Sequence, residues 1–134
     1  MRDSADEAVS VAREQFGFAL DYSSGSIESL ETVLANISSR VDVAEKDATE
    51  LTLKRWGGYL GEVVRRNFGG EWKLIQYPGR AAAVPALVIA GSQIYPLMKV
   101  YRRLTLGEAE NVWKFYEKIR SRLSPVHPTD SVAG

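Results

Sequence analysis

The sequence predicts a single α+β domain, in which about five helices pack on a small three-stranded antiparallel meander inserted between helices three and four. Two observations lead to this prediction. Apolar residues recur at helical spacing in both outer parts of the chain but alternate over residues 72–77. The turn dipeptides Pro78-Gly79 and Gly91-Ser92 also divide the middle of the chain into short segments. A chain of 134 residues is long enough for one buried core.

The first half of the chain is predicted to form three helices. The first covers residues 3–19, and the second covers residues 26–39 with Ser26 as its N-cap. The third covers residues 43–68 and ends at Gly69, because glycine readily adopts the left-handed conformation that follows many helices.

Three strands are expected next, at residues 72–77, 83–90 and 93–95. Pro85 lies near the start of the second, so this strand is either at the edge of the sheet or begins after the proline. Tight turns between the strands indicate a meander.

Two helices complete the predicted domain. The fourth starts at Pro96, which suits the first turn of a helix, and ends at Gly107. The fifth covers residues 108–123. Residues 124–134 contain two prolines and are predicted to be a flexible tail, so the domain is expected to cover residues 1–123.

Composition argues against several functional classes. Basic and acidic residues number 17 each, whereas a general nucleic-acid binder needs an excess of basic groups. There is no cysteine, which rules out disulfides and thiolate metal sites. The longest apolar run, residues 81–90, is too short to span a membrane, and no secretory leader is visible. We therefore expect a cytoplasmic protein with no metal, cofactor, membrane or nucleic-acid partner.

Three glycines lie inside the third predicted helix, at Gly57, Gly58 and Gly61. Each costs roughly 0.5–1 kcal/mol relative to alanine at an interior helical position. Gly57 and Gly61 are four residues apart and share one face. Either another helix packs against this bare backbone, or the glycines form the floor of a cleft for a ligand or a partner's side chain.

Glu62 lies beside these glycines and next to the apolar stripe of the helix. One interpretation is a surface ion pair with Arg65 or Arg66. The other places Glu62 partly buried at the edge of the glycine floor, with Lys99 or Arg103 of the fourth helix as its cation. A role as general base would need a second group, which the spacing does not identify.

Two further polar groups allow both a structural and a functional interpretation. Asp21 and Tyr22 follow the first helix, either as loop residues with a turn-forming carboxylate or as part of a polar set facing the same cleft as Glu62. Lys99 and Arg103 form a basic patch with Arg102 on the fourth helix. Such a patch is either a solvated face or a site for an anion or an acidic partner.

Three segments of the chain resemble an uncharacterised family of small bacterial proteins. They are LDYS at 20–23, GYLGEV at 58–63 followed by GGEW at 69–72, and PLMKVYRRLTLGE at 96–108. The resemblance covers residues 16–116 and implies one compact α+β domain without an assigned chemistry. The chain departs from the family at residues 77–84. The polar set that the resemblance implies is Asp21, Tyr22, Glu62, Lys99 and Arg103.

The sequence favours a non-enzymatic binding module of the toxin-neutralising or partner-docking type. Neutral charge, the lack of catalytic motifs and an apolar hairpin around Pro85 support this hypothesis. The alternative is a small-molecule binder or enzyme that uses a glycine-floored cleft with Glu62 and a nearby cation. A homodimer through the hairpin is a third option. The candidate binding residues are Asp21, Tyr22, Gly57, Gly61, Glu62, Lys99 and Arg103.

Overall fold

The computed structural model describes residues 1–38 and 46–123. Its helices and strands are α1 (Arg2–Val11), α2 (Ser26–Ser38), α3 (Lys46–Phe68), β1 (Glu71–Gln76), β2 (Ala83–Ile89), β3 (Ser92–Ile94), α4 (Pro96–Leu106) and α5 (Val112–Arg122). The predicted α+β class is confirmed, as is the position of the meander between the third and fourth helices. The predicted tail at 124–134 and the first residues of the predicted third helix, 43–45, lie outside the described residues.

The sheet is an antiparallel meander in the order β1-β2-β3. Pro85 lies inside β2, which is the central strand, so the prediction that this strand is at the edge or begins after the proline is wrong. The short third strand explains how proline is tolerated there. Leu74 of β1 pairs with Pro85 on one side, but β3 pairs only with residues 87–89. At Pro85 the missing N–H therefore removes no bond to β3.

Two helices are shorter than predicted. The first ends at Val11 and continues as a π-helical turn over Ala12–Phe16, which stops at Gly17 with a positive φ of 76°. The fifth begins at Val112 after a 3₁₀ turn, because Asn111 is extended and its side chain accepts hydrogen bonds from the next turn's backbone. The capping preference of Asn111 thus sets the start of α5.

Helix α3 is the centre of the fold. Every residue from 56 to 64 is buried, which leaves no solvent-facing side over this stretch. The helix packs against α1, α4 and the sheet, while α2 packs against α4 and α5. The core therefore surrounds the glycine-containing part of α3 instead of lying to one side of it.

The three glycines of α3 face three different neighbours. A Cβ placed on Gly57 would lie 2.6 Å from the Cα of Leu97 in α4, and one on Gly58 would lie 3.4 Å from Ser4 Cβ in α1. A Cβ on Gly61 would overlap the indole of Trp72 in β1. The bare backbone is thus covered by the protein itself, and it lets α4 and β1 approach α3 closely.

In the described part of the chain, no helix combines the length and the apolar character that a membrane span requires.

Candidate functional site

Glu62 is buried between α3 and β1, with only 1% of its surface exposed. One carboxylate oxygen accepts hydrogen bonds from Arg65 Nε at 2.7 Å and Trp72 Nε1 at 2.9 Å. The other accepts from Arg65 Nη2 at 3.0 Å and Arg66 Nε at 3.4 Å. Two cations on its own helix and one indole N–H therefore satisfy this buried charge.

These partners determine the acidity of Glu62. Burial alone would raise its pKa, but hydrogen bonds from Arg65 and Trp72 and the positive charges of Arg65 and Arg66 outweigh it and lower the pKa to about 2. At neutral pH the carboxylate is ionised and fully hydrogen-bonded. Such a group is a poor general base, because it has little affinity for a proton.

Replacing Glu62 by glutamine should make stability less dependent on acid pH. The pKa of Glu62 is lower in the folded chain than its ordinary 4.5. The ionised carboxylate therefore adds its full share to the free energy of unfolding above pH 4.5, and this share is lost as the pH falls towards 2. We expect Glu62→Gln to lower the free energy of unfolding by about 1 kcal/mol at neutral pH, because both arginines are partly solvated.

Urea unfolding of wild type and Glu62→Gln from neutral pH to about pH 3 would measure this difference. Glu117→Gln is the matched control, since its carboxylate pairs with Arg120 on the exposed face of α5. If the free energies of unfolding of wild type and Glu62→Gln differed by the same amount at every pH in this range, the lowered pKa of Glu62 would be contradicted.

The cations that the sequence suggested for Glu62 lie elsewhere. Lys99 Nζ donates to Glu110 at 3.0 Å. Arg103 is buried and pairs with Glu31 of α2 at 2.8 Å and with Glu108 at 3.4 Å. Helix α4 does cross α3 near the glycines, but it presents Leu97 there and not a basic side chain.

Tyr22 joins the loop after α1 to helix α3. It has a positive φ of 65°, and its backbone N–H donates to the hydroxyl of Tyr59 at 2.9 Å. Its carbonyl accepts from Asn67 at 3.1 Å, and its hydroxyl donates to Asp6 at 2.5 Å. The guanidinium of Arg66 lies 3.6 Å from the centre of its ring. These contacts hold an unfavourable backbone conformation in place.

Asp21 takes no part in this network. Its carboxylate accepts hydrogen bonds from the backbone N–H of Ser23 at 3.1 Å and from the Ser23 hydroxyl at 2.6 Å. Those bonds lower the pKa of Asp21. It acts as the turn-forming loop residue of the first interpretation.

The structure thus separates the predicted polar set into four places, one of which is the Asp21 turn. Tyr22 and Glu62 are linked through Arg66, which contacts both. Arg103 lies in an ion pair among the helices, and Lys99 lines a groove that Arg103 does not line. Gly57 and Gly61 are covered by Leu97 and by Trp72, so no cleft opens over them.

A groove lies between the β2–β3 hairpin, α4 and α5, and we call it the basic groove. Its volume is about 380 Å³, within the range of sites that bind small ligands or single side chains of a partner. Its apolar floor consists of Ile89, Ile94, Met98, Ile119 and Leu123. Its basic side chains are Lys99, Arg102, Lys118 and Arg122.

The four cations of the basic groove form two pairs in different states. Lys99 and Arg102 of α4 both donate to one oxygen of Glu110, at 3.0 Å and 2.9 Å. Within residues 1–38 and 46–123, neither Lys118 nor Arg122 has an ion-pair partner. Among the described residues, no acidic side chain therefore compensates the positive charge on the α5 side.

Aromatic rings form one wall of the basic groove. The rings of Tyr77 and Tyr95 meet edge to face with their centres 4.8 Å apart. Arg102 Nη1 donates to the Tyr77 hydroxyl at 3.0 Å, which ties the end of β1 to α4. None of the described residues lining the groove is an aspartate, glutamate or histidine. A ligand would meet cations, apolar surface and the polar side chains of Tyr77, Gln93 and Tyr95 there.

Sequence reasoning found only part of this groove. The basic patch that the sequence predicts includes Lys99 and Arg102 but neither Lys118 nor Arg122. The spacing of four residues between Lys118 and Arg122 on one helix indicates a second pair of neighbouring cations. The contribution of Tyr77 depends on how the hairpin packs against α4, which no local pattern indicates.

Comparisons with protein-family models, curated proteins and solved structures find no significant match to this chain.

Proposed function

We propose that this chain is a non-enzymatic binding module that docks a partner protein at the basic groove. The observation that carries this proposal is the combination of an apolar floor with a rim of four cations, two of which have no acidic partner among the described residues. Protein interfaces commonly have this arrangement, in which a desolvated apolar centre is surrounded by a polar rim.

Charge distribution supports an acidic partner. The chain has no net charge, yet the groove is lined by basic groups without a carboxylate among its described lining residues. Complementary charge speeds encounter and selects against wrong partners. The balanced total charge favours a protein over a nucleic acid, and we keep the cytoplasmic location as part of the proposal.

The contacts of Glu62 make the enzymatic alternative less favourable. Its carboxylate is saturated by Arg65, Arg66 and Trp72, and the glycines beside it are covered by neighbouring elements. A catalytic carboxylate needs access to substrate and a pKa near the working pH. The buried Glu62 network instead supports a structural role that joins the loop after α1, α3 and β1.

Charge reversal at Lys118 is the test of this function. The tagged chain would be expressed in the cells it comes from, cross-linked and purified, and its complexes quantified by mass spectrometry. We expect one partner protein to co-purify with the wild type at a ratio of about 1:1. At least about tenfold less of that partner should co-purify with Lys118→Glu. Lys114→Glu is the matched control, because Lys114 is exposed one turn earlier on α5 and does not line the groove.

Three results would contradict the proposed function. The first is a wild-type chain that co-purifies with no protein in stoichiometric amount. The second is a partner retained equally by Lys118→Glu and Lys114→Glu. The third is light scattering that shows all of the protein to be a homodimer. That result would favour self-association through the hairpin, where Leu74 is 74% exposed.

A further inference from the structure

We infer that the element recognised at the basic groove is a short acidic segment of the partner, with a carboxylate next to a large apolar side chain. This inference rests on the proposed function and specifies its ligand. The carboxylate would bind Lys118 and Arg122 of α5, and the apolar side chain would enter the floor at Ile94 and Met98. Each part of the segment matches a separate feature of the groove.

Two cations of the groove already bind a carboxylate of the chain itself, which does not line the groove. Glu110 follows α4 in a 3₁₀ turn, and its Oε1 accepts hydrogen bonds from Lys99 and Arg102 at 3.0 Å and 2.9 Å. Those bonds lower the pKa of Glu110, so the cations favour its ionised form. The α4 side of the rim is thus already compensated by an internal carboxylate.

The α5 side has the same kind of cation pair without a carboxylate. Lys118 and Arg122 are four residues apart on one helix, so their side chains are neighbours. Both are exposed, and neither has an acidic partner in the part of the chain that the structure describes. A partner's carboxylate bound there would compensate the charge of Lys118 and Arg122, as Glu110 does for the cations of α4.

The floor of the groove explains why charge alone is not enough. Ile89 and Ile119 are buried, while Ile94 and Leu123 are partly exposed at the groove. Burying one large side chain on such a surface contributes favourable free energy that a simple anion cannot gain. The ammonium of Lys99 lies 5.3 Å from the centre of the Phe115 ring, which places apolar and charged groups side by side.

The size of the groove favours a segment over a folded surface. About 380 Å³ accommodates a few side chains, so only a protruding stretch of a partner can fill it. Its walls are tied together, because Arg102 bonds Tyr77 and the Tyr77 ring contacts Tyr95. A groove held in this way loses little conformational entropy when it binds.

Synthetic peptides test this inference on the intact protein. The probe is a fluorescein-labelled octapeptide in which glutamates alternate with leucine and phenylalanine. Its binding is followed by fluorescence anisotropy at about 50 mM and about 300 mM salt. We expect saturable binding with a Kd on the order of 10 µM that weakens severalfold at the higher salt.

Two control peptides separate the two parts of the segment without altering the protein. In one, glutamines replace the glutamates; in the other, serines replace the leucine and phenylalanine. Each should bind at least about tenfold more weakly than the probe. Among protein variants, Lys118→Glu should weaken the probe at least about tenfold, whereas Lys114→Glu should leave it within about twofold. Circular dichroism would show that both variants remain folded.

Four outcomes would overturn the inference. They are no saturation by the probe up to about 1 mM, equal binding of the glutamine peptide, equal effects of the two lysine variants, or decanoate binding that is tighter than the peptide and displaces it. The last would identify a small amphiphilic anion as the ligand. If the cellular complex depended on Lys118 while the peptides failed, the binding function would stand and only the acidic segment would be rejected.

Discussion

Replacing Arg103 by methionine is expected to lower the free energy of unfolding by about 3–5 kcal/mol. The Arg103 side chain is 5% exposed and pairs at 2.8 Å with Glu31, whose own side chain is 13% exposed. Methionine fills much of the same space but leaves the Glu31 carboxylate without its cation. Removing one partner of a buried ion pair is far more damaging than losing an exposed one, because the remaining charge stays desolvated.

The position of this pair adds to the effect. Glu31 belongs to α2 and Arg103 to α4, and Glu31 Oε1 also accepts the backbone N–H of Val112 at the start of α5, at 3.0 Å. One carboxylate therefore holds three helices together. Loss of this ion pair should therefore also loosen the packing of α5, whose residues line the basic groove.

Urea unfolding would measure this prediction, with two controls. Arg120→Met removes a pair with Glu117 in which both side chains are more than 40% exposed, and it should cost no more than about 0.5 kcal/mol. The double variant Arg103→Met/Glu31→Met removes both charges and should recover much of the loss. If Arg103→Met behaved like Arg120→Met, the buried ion pair would not be a significant source of stability.

The Gly57→Ala variant is expected to lose about 2 kcal/mol of stability, even though alanine is the better helix former. The added Cβ would lie 2.6 Å from the Cα of Leu97, and a main-chain atom cannot move aside without separating α3 from α4. Overpacking of this kind typically costs about 1–3 kcal/mol. The gain of roughly 0.5–1 kcal/mol in helix propensity offsets only part of it.

Gly58→Ala is the matched control for this substitution. It lies one residue later in the same helix, and its added Cβ would be 3.4 Å from Met1 Sδ and from Ser4 Cβ, which is ordinary contact. We expect this variant to gain up to about 1 kcal/mol. Thermal unfolding of both variants would decide the matter, and a Gly57→Ala variant as stable as Gly58→Ala would show that α4 does not press on the backbone of α3.

Much of the architecture could be predicted because it depends on local patterns. The change from helical spacing to alternation marked the start of the sheet, and the turn dipeptides separated its strands. Pro96 and Gly107 marked the ends of α4, as the structure confirms. The errors also have local causes, since the π-helical turn over Ala12–Phe16 and the cap at Asn111 shorten helices whose apolar spacing continues.

The site was harder to predict because it depends on which elements meet. Glu62 has its nearest cations at the expected helical spacing, but its third hydrogen-bond donor is Trp72, which is ten residues further along the chain. The partner of Arg103 is Glu31, which is 72 residues away. Nothing in the pattern around either residue indicates the other. Pairings of this kind follow from the packing of whole helices, which periodicity alone does not fix.

The stretch of α3 from 56 to 64, which is enclosed by its neighbours on every side, also limits how the length of this chain can change in evolution. Inserting one residue there would rotate everything that follows by about 100° around the helix axis. An insertion between Gly57 and Gly61 would remove these glycines from their shared face, so that Leu97 and Pro96 of α4 could no longer pack against both. Insertions and deletions should therefore accumulate in the turn between β1 and β2, and not in this part of α3.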